Sequence, residues 1–193
     1  MLRCVVWDAI RILCDGEDIW MLSILVPTLL AAAAAQPAGT NPLAPALAGQ
    51  ILCNHPNEQT KTCQSIVSYK SLGGDRYSST DTILLSPQGP ATLEVTSELT
   101  VKGGSACGLI RREDLDKGQI KVGDHVLTPA EAQPIKDQVA QAMAPFFDKQ
   151  GCVTYVASDK GLTEKASLDG TPRPDLDQPV KWVAPTDGYK LVP

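Results

Sequence analysis

Apolar and polar residues alternate most clearly between Thr92 and Val101. Leu93, Val95, Leu99 and Val101 fall on one side, with Ser97 among them. Thr92, Glu94, Thr96, Glu98 and Thr100 fall on the other. A period of two with a threonine/glutamate face predicts a strand in a sheet covered on one side and wet on the other, which favours antiparallel pairing. The expected partner is the stretch from Arg76 to Leu85, where Tyr77, Ser79, Asp81, Ile83 and Leu85 share a side. Further strands are expected over 62–72, 106–110, 152–158, 162–168 and 180–184, with a small hairpin over 119–127. Gly73-Gly74-Asp75, Lys102-Gly103-Gly104, Asp159-Lys160-Gly161 and Asp169-Gly170 supply turn chemistry between them.

One segment follows the helical period instead. Thr128 and Glu131 form a capping box, and Pro129 suits the first helical position. Ile135, Val139, Met143 and Phe146 then recur on one face beside Ala142 and Phe147, while Gln133, Lys136, Asp137 and Gln141 take the other. Pro145 should stop or kink the helix. Strands, one long helix, then strands predict an α+β domain: an antiparallel sheet with this amphipathic helix packed on one face.

The N-terminal part has a different character. Residues 20–30 are uncharged and apolar, and Ala31 to Ala35 follow. This is the layout of an export signal with its cut before Gln36. The leader ahead of it carries Asp8, Asp15, Glu17 and Asp18 against Arg3 and Arg11, where an export signal has a positive start. Translation is therefore expected to begin at Met21. The organisation that follows is an upstream extension over 1–20, a signal peptide over 21–35, a Pro/Ala-rich flexible linker over 36–50, and one domain over 51–193. An uncleaved anchor is the alternative; Pro27 and the alanines weaken the run as a span.

Export changes the meaning of the cysteines. Cys4 and Cys14 lie in the extension, leaving Cys53, Cys63, Cys107 and Cys152. Four cysteines in an oxidising compartment predict two disulfides, with three connectivities open. The favoured one is Cys53–Cys63, closing a local loop, with Cys107–Cys152, tying the strand after Gly103-Gly104 to the strand after the helix.

The formal net charge is −5, and no basic cluster exceeds Arg111-Arg112. Nucleic acid is not an expected partner, because phosphate binding needs a basic face. Cys53-Asn54-His55 lacks the paired short spacings of a zinc site, and no nucleotide or zincin motif occurs, so neither metal nor cofactor is expected. Glu94 and Glu98 are too far apart along one strand for a glycosidase pair and read as a solvated face. Ser105 or Cys107 with His125 is the one nucleophile–base combination offered, on a stretch that departs from the nucleophile-elbow pattern. Trp182 and Tyr189 read as core aromatics.

Cys53-x-x-Pro56, Lys61-Thr62-Cys63 leading to Tyr69, Cys107-Gly108, Cys152-x-x-Tyr155, Trp182-Val183-x-Pro185 and Asp187-Gly188-Tyr189 together give residues 50–193 a resemblance to a family of small uncharacterised exported bacterial proteins with a four-cysteine framework. The resemblance implies export and the cysteine framework, and supplies no catalytic residue. The expected function is a non-enzymatic periplasmic or extracellular domain that binds an envelope protein, a glycan or a small ligand. A hydrolase inhibitor presenting the loop from Asn54 to Thr60 is a sub-case. The alternative is a secreted hydrolase or thiol enzyme using Ser105 or Cys107 with His125.

Overall fold

A computed structural model describes residues 41–86 and 89–191. The expected extension and signal peptide lie outside the described residues. A helical turn, α1 (Ala44–Leu47), leads into β1 (Ile51–Asn54), β2 (Thr62–Cys63), β3 (Ser65–Gly73), β4 (Arg76–Leu84), β5 (Ala91–Lys102) and β6 (Ser105–Leu109). An insertion follows, made of α2 (Arg112–Lys117), β7 (Gln119–Val122), β8 (His125–Val126) and α3 (Pro129–Met143). The chain then returns through β9 (Gln150–Ser158), β10 (Gly161–Leu168), β11 (Thr171–Pro172), β12 (Gln178–Val183) and β13 (Lys190–Leu191).

Eight of these strands close into an antiparallel barrel. Around the wall they run β1, β3, β4, β5, β6, β9, β10, β12, each beside its neighbour in the chain, and β12 pairs back onto β1 with Ile51 opposite Val183. The fold is thus mostly β and not the expected α+β sheet. The alternation in β4 and β5 was read with the correct parity and partner: Asp81 opposes Val95 and Ile83 opposes Leu93 in an antiparallel ladder. What covers the apolar side is the opposite wall of the same barrel, because a strand with one dry face is satisfied equally by a helix or by closure. Between β5 and β6, Gly103 and Gly104 both have positive φ, as a tight two-residue hairpin requires.

The helix α3 packs elsewhere than on a sheet face. Its capping box forms as expected, with Glu131 Oε2 accepting from the Thr128 backbone at 2.8 Å. Ala132, Ala140, Ile135 and Val139 join Leu115 of α2, Ile120 of β7, and Leu85, Leu93 and Val95 at one end of the barrel. Lys136, read as solvent-facing, is buried, and its ammonium donates to the Asp116 carbonyl at 2.6 Å. The other end is plugged by the segment expected as a linker. Leu43 is 0 % exposed against Leu52, Val67, Tyr77 and Val180, and the Asn41 side chain donates to the Tyr77 hydroxyl at 2.6 Å.

Cys53, Cys107 and Cys152 sit on outward-facing wall positions, and Cys63 lies on β2 outside the barrel. Cys53 bonds Cys63 and Cys107 bonds Cys152, the pairing favoured from the sequence. Cys107 and Cys152 are direct cross-strand neighbours of β6 and β9, so their bond fastens the wall where the insertion interrupts it. Cys53–Cys63 is buried under Val183 and Tyr189, and β13 lies parallel to β2 there. Tyr189 is buried, and Trp182 packs on the main core, so both aromatics are core residues.

Candidate ligand cavity in the barrel

The inward positions divide the barrel into a filled half and a hollow half. In the filled half, Tyr69 of β3 and Tyr155 of β9, on opposite walls, reach across the interior with their hydroxyls 3.2 Å apart. Trp182 packs on both rings, with centroids 5.9 and 5.7 Å away. This aromatic layer is a floor. Above it lies a cavity of about 550 Å³, walled by Val67, Ile83, Leu93, Val95, Leu99 and Val153 and roofed by Leu115, Val139, Met143 and Phe147.

Small residues leave that space. The inward positions of β6 and β9 include Ala106, Gly108 and Gly151, which contribute almost no side-chain volume. Gly108 also permits a close approach of β5, since a Cβ there would sit 2.9 Å from the Glu98 carbonyl oxygen. Beyond that point β5 loses its second neighbour: residues 95–99 pair with β4 but with neither β6 nor β7. Ser97, Glu98, Arg111 and Asp114 line both the cavity and a second cleft, which places this gap between the two.

A few polar groups break the apolar lining. Asp81 of β4 and Glu164 of β10 are four strands apart in either direction, on opposite walls. Glu164 accepts from Gln178 at 2.8 Å and from the Tyr155 hydroxyl. Burial raises its pKa, and those two hydrogen bonds act against the rise. Among the described residues no side chain donates to Asp81, whose pKa is pushed up to about 7, first by burial and then by the charge of Glu164. The carboxyl keeps partial solvent contact because it faces the cavity, although protein surrounds it. Burial likewise raises the Tyr69 and Tyr155 phenols, so both remain neutral donors. Asn54, 7 % exposed, donates to Ser65 Oγ at 2.7 Å, and its Oδ1 is buried without a partner. A buried acceptor left bare costs about 1–3 kcal/mol, so such groups commonly mark a ligand or water position.

The residues weighed for catalysis are not gathered here. Cys107 is committed to its disulfide. Ser105 opposes Lys102 at one end of β5, whereas His125 opposes Val122, which opposes Ala91 at the other end. At about 3.3 Å per residue the two ends of that strand are roughly 30 Å or more apart, far beyond proton-transfer reach. Cys53 is oxidised, so Cys53-Asn54-His55 offers no thiolate. Among the described residues no three His, Cys, Asp or Glu side chains gather as a metal-ligand set. Glu94 and Glu98 pair outside with Lys121 and Arg76, at 3.8 and 2.8 Å. No helix among the described residues is long and apolar enough to cross a membrane.

Sequence reasoning placed Asp81 on the same side as Tyr77 and Ser79 but drew nothing from it, and it did not single out Glu164 or Gln178. The available signal was a carboxylate at an inward-parity position beside apolar neighbours: Asp81 before Ile83, and Glu164 between Leu162 and Ala166. The chain matches no protein-family model, no curated protein and no solved structure, and of the resemblance described above the two-disulfide framework is the part the structure carries.

Proposed function

We propose that this chain is an exported, non-enzymatic binding domain that carries a small, largely apolar ligand inside its barrel. The observation that carries the reading is the cavity: about 550 Å³ of mostly apolar interior, with a few convergent polar groups and one bare buried acceptor, Asn54 Oδ1. Ligand sites have this size and this mixture, and the volume suits a molecule of about ten to twenty non-hydrogen atoms. Export belongs to the same proposal. Residues 21–35 have the layout of a signal peptide, and two disulfides need an oxidising compartment, periplasmic or extracellular.

The test is a fluorescence titration with N-phenyl-1-naphthylamine, a neutral apolar dye that brightens out of water. Saturable binding of one dye per chain is expected, together with its loss in Val95→Trp, which fills the cavity, while the circular dichroism spectrum is retained. Absence of saturable binding, or binding indifferent to Val95→Trp in a folded protein, would overturn the reading.

A second reading concerns the loop between β1 and β2. It is exposed from His55 to Thr60 apart from half-buried Pro56, and it is braced at its base by Cys53–Cys63. Within it Asn57 accepts from the Gln59 and Thr60 amides, and Glu58 is held by Lys181 and Tyr189. A stiff, exposed loop of this kind suits insertion into a hydrolase cleft. Loss of inhibition of an envelope hydrolase on Glu58→Ala would support it, and no inhibition by the intact domain would count against it.

A further inference from the structure

The polar groups in the cavity are unbalanced in a way that specifies the ligand. Of the charged residues lining it, Asp81 and Glu164 lie within, and the only cation, Arg111, stands at the opening beside Glu98 and Asp114. The buried acceptors inside keep unused capacity. They are the Asp81 carboxyl with no donor from any described residue, the bare Asn54 Oδ1, and the part of Glu164 not engaged by Gln178 Nε2. Of the donors, Asn54 Nδ2 goes to Ser65, Gln178 to Glu164, and the two tyrosine hydroxyls to each other and to Glu164.

Their placement adds a geometric point. Asp81 and Glu164 face each other across the interior, and β1, which carries Asn54, stands midway between their strands on one side. The three acceptors therefore belong to three walls of one lining. An ammonium group has three donors and a charge that both carboxylates favour. A carboxylate or phosphate would meet like charge in a low-dielectric site with no cation to answer it, and a neutral hydroxyl brings one donor to three acceptors.

We propose that the cavity binds an organic amine, its ammonium held among Asp81, Glu164 and Asn54 Oδ1 and its apolar body lying against Leu93, Val95, Val139 and Phe147. This rests on the interior being a ligand site at all, and goes further by fixing the ligand's charge and donor count.

Three compounds with one apolar body separate the alternatives: 2-(1-naphthyl)ethylamine, 2-(1-naphthyl)ethanol and 1-naphthylacetic acid. Each is titrated into the intact disulfide-bonded protein at pH 8 by calorimetry. The amine is expected to bind at least tenfold more tightly than the alcohol, and the acid more weakly than either. Asp81→Asn combined with Glu164→Gln should bring the amine down to the alcohol's affinity while leaving the alcohol within about twofold. Should that double variant not fold, Asp81→Asn alone is expected to remove at least half of the tenfold preference. Equal affinity for amine and alcohol, preference for the acid, or an amine affinity unmoved by these substitutions would overturn the proposal. If none of the three binds but N-phenyl-1-naphthylamine does, the amine proposal fails and the ligand cavity stands. If the dye also fails to bind, both fall.

Discussion

Asp81 gives the structure a stability signature that can be measured without any ligand. Its carboxyl ionises at an ordinary 3.8 when free and at about 7 in the folded chain, where burial and the facing Glu164 disfavour the charge. Because the folded pKa is the higher one, the folded state holds the proton more tightly. Stability is therefore greatest below about pH 4, falls as pH rises through the interval up to about 7, and is flat above it. At about 1.4 kcal/mol per tenfold, the interval sets a ceiling of about 4 kcal/mol. Cavity water screens the carboxylate, so the expected loss is smaller, about 2–3 kcal/mol. Asp81→Asn keeps the shape and removes the titration. Urea unfolding of both proteins at pH 4 and pH 8, followed by circular dichroism, yields the difference at constant slope. The variant is expected to gain about 2–3 kcal/mol relative to the parent between pH 4 and pH 8. Any fixed cost of the amide cancels in that comparison. Equal pH slopes in the two proteins, or a parent that gains on the variant as pH rises, would refute the burial of Asp81 in the barrel.

Other consequences follow from particular contacts. Leu43→Ala removes the plug from the filled end of the barrel and is expected to cost about 3 kcal/mol by urea unfolding, since Leu43 is fully buried. Replacing Cys107 and Cys152 together by serine frees a loop of 45 residues, and the chain-entropy estimate gives a loss of about 4 kcal/mol at most, against about 3 kcal/mol for the 10-residue loop of Cys53–Cys63. Thr128→Ala breaks the capping box of α3 and should cost about 1 kcal/mol. Hydrogen exchange in that variant should quicken in the first turn of α3 and leave β9 and β10 unchanged.

Much of the wall was legible in the chain. The β5 pattern displays its two faces because Leu93, Val95 and Leu99 look into the barrel while Glu94 and Glu98 meet Lys121 and Arg76 outside. Thr80 and Thr96, paired across β4 and β5 with hydroxyls 3.1 Å apart, continue that wet face. The capping box of α3 and the glycine turns are local chemistry and read locally. Closure was not legible. It rests on β1 meeting β12, segments at opposite ends of the domain, and no local pattern encodes a contact of that range. The apolar stripe of α3 said that something dry lies beneath it, without distinguishing a sheet face from the mouth of a barrel.

The expected linker of 36–50 falls within the described residues only from Asn41 onward, and that part is packed on the barrel. Pro45 and the alanines around it suit a mobile segment on composition, yet Pro45 sits in the first turn of α1, where a missing N–H costs nothing, and the buried Leu43 anchors residues 41–50. Composition weighs fifteen residues equally, whereas burial is decided by one. The cavity was hidden for a third reason: nothing in the sequence pairs Gly108 with Gly151, and only their register opposite one another reveals that they hollow out one wall.

The most direct test of an interior ligand cavity is a map of which methyl groups a bound apolar molecule touches. With methyl-labelled protein and N-phenyl-1-naphthylamine, intermolecular NOEs are expected to Val67, Val95, Leu99, Val139 and Val153, which line the interior. None is expected to Val122, Val126 or Val156, which face outward and are exposed. Contacts to that outer set in place of the inner one would contradict the account.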